Sequence, residues 1–124
     1  MAVIKLVIVE DEEILQSVLK EKFELAGFEV FIAADGEAAI PLIQEVNPKI
    51  VILDLLLPKK DGFTILTELK TNSSLKNIPV VVLSNLGQDE EIKRALTLGA
   101  LDYFVKTQHP IKEVVEKIKA LAEK

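Results

Sequence analysis

Cysteine is absent from the 124-residue chain, tryptophan is absent too, and there is a single histidine. Without cysteine there is no disulfide, no thiolate metal site, no iron–sulfur cluster and no cysteine nucleophile. One histidine excludes multi-histidine zinc sites and demotes any triad that uses histidine as its base. Positive charge is in deficit. Fifteen Lys and Arg face twenty Asp and Glu, a net charge of −5, which is the wrong sign for wrapping nucleic acid by charge alone. Long apolar runs are missing. None exceeds six residues, as in Ile78-Pro79-Val80-Val81-Val82-Leu83, far short of the roughly 18 residues a membrane span needs. The apolar start is interrupted by Lys5 and followed at once by Glu10-Asp11-Glu12-Glu13, unlike a secretory leader. A cytoplasmic protein without membrane contact is expected.

What is present reads as globular: 49% of residues are hydrophobic and 28% charged. With about 150 residues per domain as a soft prior, residues 1–124 are expected to form one domain. Short β-branched runs alternate with helix-length amphipathic stretches. The runs are Val3 to Val9, Phe28 to Ala33, Ile50 to Leu53, Val80 to Leu83 and Tyr103 to Val105. Between them lie helical stripes: Ile14, Leu15, Val18, Leu19, Phe23 and Ala26; then Ala39, Leu42, Ile43 and Val46; then Phe63, Leu66 and Leu69; then Ile92, Ala95 and Leu96. Ile111, Val114, Val115, Ile118 and Leu121 form the last. Asp35 is placed to cap the second helix. Pro41 falls inside that helix, where it removes a hydrogen bond and predicts a kink or an irregular first turn.

The pattern is (βα)5, an α/β class with a doubly wound parallel sheet. Runs one, three and four are apolar throughout, as in strands covered on both faces. Run two alternates more and is expected at an edge.

Ligands of open α/β sheets bind beyond the carboxyl ends of the strands. At those ends stand Glu10 and Asp11, Asp54, Ser84 and Lys106. Each has a plainer explanation taken alone. The acidic run suits a helix N-terminus, a serine suits a loop start, and Asp54 could cap a helix. Asp54 is the hardest to dismiss, because it interrupts Ile50-Val51-Ile52-Leu53 and Leu55-Leu56-Leu57, where a carboxylate is costly unless partnered. Three carboxylates in one cleft must take up protons or a cation. Oxygen ligands, few in number, suit Mg2+. Metal, lysine and hydroxyl around a carboxylate form a set able to stabilise a phosphoryl group on aspartate.

At these positions the sequence resembles the receiver domain of bacterial two-component response regulators, over essentially the whole chain. The residues are Glu10-Asp11, the segment from Asp54 to Gly62, Ser84, and the stretch from Gly99 through Tyr103 to Lys106. The resemblance implies a flavodoxin-like strand order of 2-1-3-4-5. It implies that Asp54 is the phosphoacceptor and that Glu10, Asp11, Asp54 and the backbone carbonyl of Leu56 hold Mg2+. Lys106 and Ser84 would bind phosphoryl oxygens, and Ser84 and Tyr103 would switch the surface of the fourth helix, fifth strand and fifth helix. The implied partners are a histidine kinase or phosphotransfer protein as donor and a downstream protein or second copy as target. The implied protein is a regulator that catalyses only its own phosphorylation and slow dephosphorylation. Thr107 stands where the family commonly has proline, so a trans peptide is expected, and Asn85 stands where alanine is common. Leu56 and Leu86 cannot hydrogen-bond an attacking water, so slow loss of the phosphoryl group is expected.

Other functions fit less well. A receiver-like interaction module that works without phosphorylation would not need the acidic set. A flavin site wants a hydroxyl-rich loop where Glu10 to Glu13 stand. An aspartyl phosphatase of the haloacid dehalogenase type wants a second Asp where Leu56 stands. A glycine-rich nucleotide loop is absent.

Overall fold

The computed structural model describes residues 3–123. Strands and helices alternate: β1 (Ile4–Val9), α1 (Glu13–Leu25), β2 (Phe28–Ala33), α2 (Gly36–Val46), β3 (Ile50–Leu53), α3 (Gly62–Thr71), β4 (Val80–Ser84), α4 (Asp89–Thr97), β5 (Asp102–Val105) and α5 (Ile111–Ala122). The strands pair in parallel in the order β2-β1-β3-β4-β5. This is the doubly wound, flavodoxin-like order expected from the sequence, with β2 at an edge.

Side chains alternate across a strand, and here both faces are covered. Leu6 and Ile8 of β1 join Leu19 and Phe23 of α1 and Val114 and Ile118 of α5 in one cluster. Val7 and Val9 join Ile43 of α2, Leu66 of α3 and Ala95 of α4 in the other. Two-sided burial explains why Leu6–Val9 of β1, all of β3 and Val80–Leu83 of β4 are apolar without interruption. At the edge, β2 leaves Glu29 exposed.

Three local expectations need correction. Pro41 does not disturb the start of α2: the helix is continuous from Gly36 to Val46, and its first turn is regular, with Asp35 Oδ1 accepting the N–H groups of Glu37 and Ala38 at 2.9 Å. The missing proline N–H leaves one carbonyl a turn earlier without its helical donor, on a helix face where Pro41 and Glu37 are both exposed. Ile14 is 83% exposed. It precedes Leu19 by five residues, about 140° around the helix, so it faces away from the sheet. Leu96 is 44% exposed beside fully buried Ala95, one residue and about 100° further round.

Candidate functional site

The site lies at the carboxyl edge of the sheet. Glu10 follows β1, Asp54 follows β3, Ser84 ends β4 and Lys106 follows β5. Sheet hydrogen bonding continues into these residues. The Asp54 N–H donates to the Val9 carbonyl at 3.0 Å, the Glu10 N–H to the Ala33 carbonyl at 3.0 Å, and the Lys106 N–H to the Ser84 carbonyl at 2.8 Å. The ladder therefore fixes the main chain of each functional residue, and only side-chain torsions remain to aim it.

Lys106 is at the centre. Its Nζ lies 2.8 Å from Glu10 Oε1, 2.8 Å from Asp54 Oδ2 and 3.1 Å from Glu12 Oε1. Glu10 and Asp54 are nearly sealed from solvent, with relative exposures of 1% and 3%. Burial pushes the Glu10 carboxyl above its ordinary range, against the lowering effect of the Lys106 hydrogen bond. Burial works against the lysine charge as well, but the hydrogen bonds it donates to Asp54 and Glu10 outweigh it and hold the ammonium above the ordinary lysine range. The remaining oxygens are also used: Glu10 Oε2 accepts the Glu12 N–H and Asp54 Oδ1 accepts the Leu56 N–H, both at 3.1 Å.

One ammonium does not balance three carboxylates. Glu10, Glu12 and Asp54 each bring an oxygen within 4.8 Å of the others. An all-oxygen donor set with residual negative charge fits a hard divalent cation such as Mg2+. Asp11, the second acid named from sequence, is exposed and lies outside this group. Glu12 takes part instead, and it was not foreseen. Its signal in the sequence was its spacing: two residues beyond Glu10, at the turn entering α1, where a side chain can fold back over the strand end.

Ser84 is fully buried, and its Oγ accepts the Leu86 N–H at 3.4 Å. Tyr103 is buried as well, with its O–H directed to the Leu86 carbonyl. One residue, Leu86, thus links the hydroxyl to the aromatic ring through its own N–H and C=O. The Leu56 side chain is 51% exposed at the mouth. Among the described residues no peptide bond is cis, as expected with Thr107 after the lysine.

The Asp54 loop is braced by two close approaches. A Cβ on Gly62 would stand 2.4 Å from the Asp54 carbonyl oxygen, and the Gly62 N–H donates to the Leu55 carbonyl at 3.0 Å. A Cβ on Gly36 would stand 1.9 Å from the Lys60 carbonyl oxygen, and the Gly36 N–H donates to the Pro58 carbonyl at 3.1 Å. Only glycine allows backbones this close. Asp61 then starts α3, accepting the Thr64 N–H at 3.1 Å.

Fold and site together define a doubly wound α/β domain with a lysine-centred carboxylate pocket at the carboxyl edge of its sheet. The response regulator receiver domain model matches residues 6–119, and the chain belongs to that family, the receiver domains of two-component systems. It is 38% identical over 117 residues to "Probable transcriptional regulator ycf27" of Cyanophora paradoxa, covering 94% of this chain and 47% of that one. It is 35% identical to the phosphate regulon transcriptional regulatory protein PhoB of Escherichia coli, covering 94% and 51%. The chain therefore spans about half the length of these curated relatives. Among solved structures, the signal receiver domain of a DNA-binding response regulator from Colwellia psychrerythraea superposes with a TM-score of 0.89 at 28% identity, covering 98% and 99%. No helix among the described residues is long and apolar enough to cross a membrane.

Proposed function

We propose that residues 1–124 act as one receiver domain in which Asp54 accepts a phosphoryl group from a phosphohistidine on a histidine kinase or phosphotransfer protein. The observation that carries this reading is the Lys106 ammonium held 2.8 Å from both Glu10 and Asp54 in a nearly sealed pocket.

An Asp54 carboxylate oxygen forms a bond to phosphorus as the donor P–N bond breaks. The electron pair leaves on the imidazole nitrogen, which takes up a proton. Lys106 then transfers a hydrogen bond from Asp54 to a phosphoryl oxygen, and Ser84 donates its hydroxyl to another. Glu10, Asp54, the Leu56 carbonyl and Asp11 are the groups proposed to hold Mg2+, with Glu10 acting through a water. The cation would offset charge on the transferred group. Movement of Ser84 reaches Tyr103 through Leu86 and biases the surface of α4, β5 and α5, which meets a downstream protein or a second copy. The chain is a regulator that catalyses its own phosphorylation and a slow dephosphorylation.

Incubation with a small phosphodonor and Mg2+, followed by intact mass, tests the reading. Wild type is expected to gain one phosphoryl group and Asp54→Asn none. An unchanged wild-type mass overturns phosphoryl acceptance and leaves the phosphorylation-independent interaction module.

A further inference from the structure

We infer that Glu12 is a positioning residue for Lys106: it keeps the ammonium in the site once a divalent cation and a phosphoryl group engage Glu10 and Asp54. The inference rests on the reading that this site takes Mg2+ and phosphate.

A lysine ammonium has three N–H donors and no acceptor. Here three carboxylate oxygens take all three, at 2.8, 2.8 and 3.1 Å. The three acceptors differ in what else they can do. The side chains of Glu10 and Asp54 are 2% and 4% exposed, whereas that of Glu12 is 56% exposed. The two buried acids are fixed and face the cation and the phosphoryl group. Glu12 is the acid free to follow the lysine as it moves.

A second observation concerns the start of α1. Glu12 is the N-cap residue, a position whose side chain commonly accepts a hydrogen bond from the helix's own first N–H groups. Its carboxylate makes no such bond. Its backbone N–H is tied to Glu10 Oε2 at 3.1 Å, so its main chain is anchored to the site while its carboxylate reaches Lys106.

A cation arriving beside Glu10 and Asp54 must displace an ammonium of the same sign. Without Glu12 the displaced lysine would leave its buried partners for none. With Glu12 it exchanges two partners for one that remains. Glu12 therefore favours Mg2+ binding by receiving Lys106, not by ligating the metal.

A double-mutant cycle with Mg2+ alone as the probe separates these roles. Dissociation constants are read from amide NMR titrations of wild type, Glu12→Gln, Lys106→Met and the double variant, with Glu13→Gln as a neighbouring charge control. Glu12→Gln is expected to weaken Mg2+ binding about threefold when Lys106 is present, as for loss of an exposed ion pair. In the Lys106→Met background the factor is expected to shrink toward one. A direct ligand, or a purely electrostatic contribution, keeps the same or a larger factor there, and that result overturns the inference. If Lys106→Met does not fold, the lysine ammonium signals decide. At saturating Mg2+ those of Lys106 should be retained in wild type and lost in Glu12→Gln, and equal signals overturn the inference. Mg2+ that binds without coupling removes only the role of Glu12. Mg2+ that shifts no wild-type signal removes the metal reading of the site, and the inference with it.

Discussion

Tyr103 donates its phenolic O–H to the backbone carbonyl of Leu86 at 2.5 Å, bridging β5 to the loop that follows β4. The same Leu86 gives its N–H to Ser84 Oγ. The buried Ser84 hydroxyl and the Tyr103 ring packed with Ala95 of α4 thus share one residue, Leu86, as their connection.

This is the chain's sole tyrosine, so its ionisation is readable by ultraviolet titration. Burial pushes the phenol up to about 12, helped by the negative charges of Glu91 and Asp54. A folded value above the unfolded one means that the neutral phenol is favoured in the fold. The stability it contributes is fully present below about pH 10 and is lost as pH rises through the folded value. The expected midpoint is near 12; a midpoint near 10 while the fold persists would place the ring in solvent.

Gly62→Ala is expected to destabilise the domain by about 1–3 kcal/mol, the usual range for overpacking. The added carbon would stand 2.4 Å from the Asp54 carbonyl oxygen, and backbone cannot yield as a flexible side chain can. Urea unfolding measures the loss. Because the contact falls on Asp54, amide shifts around the site should change as well; an unperturbed site with full stability contradicts the close approach.

Asp61 is held below the usual carboxylate range: burial opposes this, but the Thr64 N–H and hydroxyl, among other hydrogen bonds, outweigh it. A lowered value stabilises the fold above the unfolded value, and the contribution is lost as pH falls through the folded value. Asp61→Ala should therefore cost about 1 kcal/mol at neutral pH, as for loss of a helix cap. The gap from wild type should narrow as the pH drops below about 3.8. Asp61→Asn should retain most of the cap. Denaturant midpoints at pH 7 and pH 3 give the comparison.

Leu56 stands half-exposed at the mouth and Leu86 is partly buried beside Ser84. Neither side chain can hold a water for attack on phosphorus. Leu56→Asn and Leu86→Glu are each expected to speed loss of the Asp54 phosphoryl group by about tenfold, short of the roughly hundredfold or more that a well-placed general base supplies. Decay of the phosphorylated mass after the donor is removed is the measurement. If both variants decay at the wild-type rate, these leucines do not govern its lifetime.

The strands were legible because two-sided burial writes an uninterrupted apolar run, as in Val80 to Leu83, while the edge position of β2 admits an exposed charge at Glu29. The site was legible because a carboxylate such as Asp54 stands out against such a run. Helix faces were read less well. Ile14 and Leu96 fit an apolar stripe by counting, but the angle around the helix carries both away from the sheet. The part taken by Glu12 was hidden for a different reason. Four acids in a row look alike in sequence, and which of them besides Glu10 reaches Lys106 depends on how the chain turns between β1 and α1. Pro41 predicted a kink or an irregular first turn, yet α2 runs on from Gly36 to Val46 behind a regular Asp35 cap, with Pro41 on an exposed face.

The closeness of Gly36 to the Lys60 backbone makes α2 a distant guardian of the Asp54 loop. A side chain as small as a methyl group at position 36 would push on the very loop that hangs from Asp54. Variation at the start of α2, remote from the pocket in sequence and free of any reacting atom, is thereby answerable to the chemistry next door.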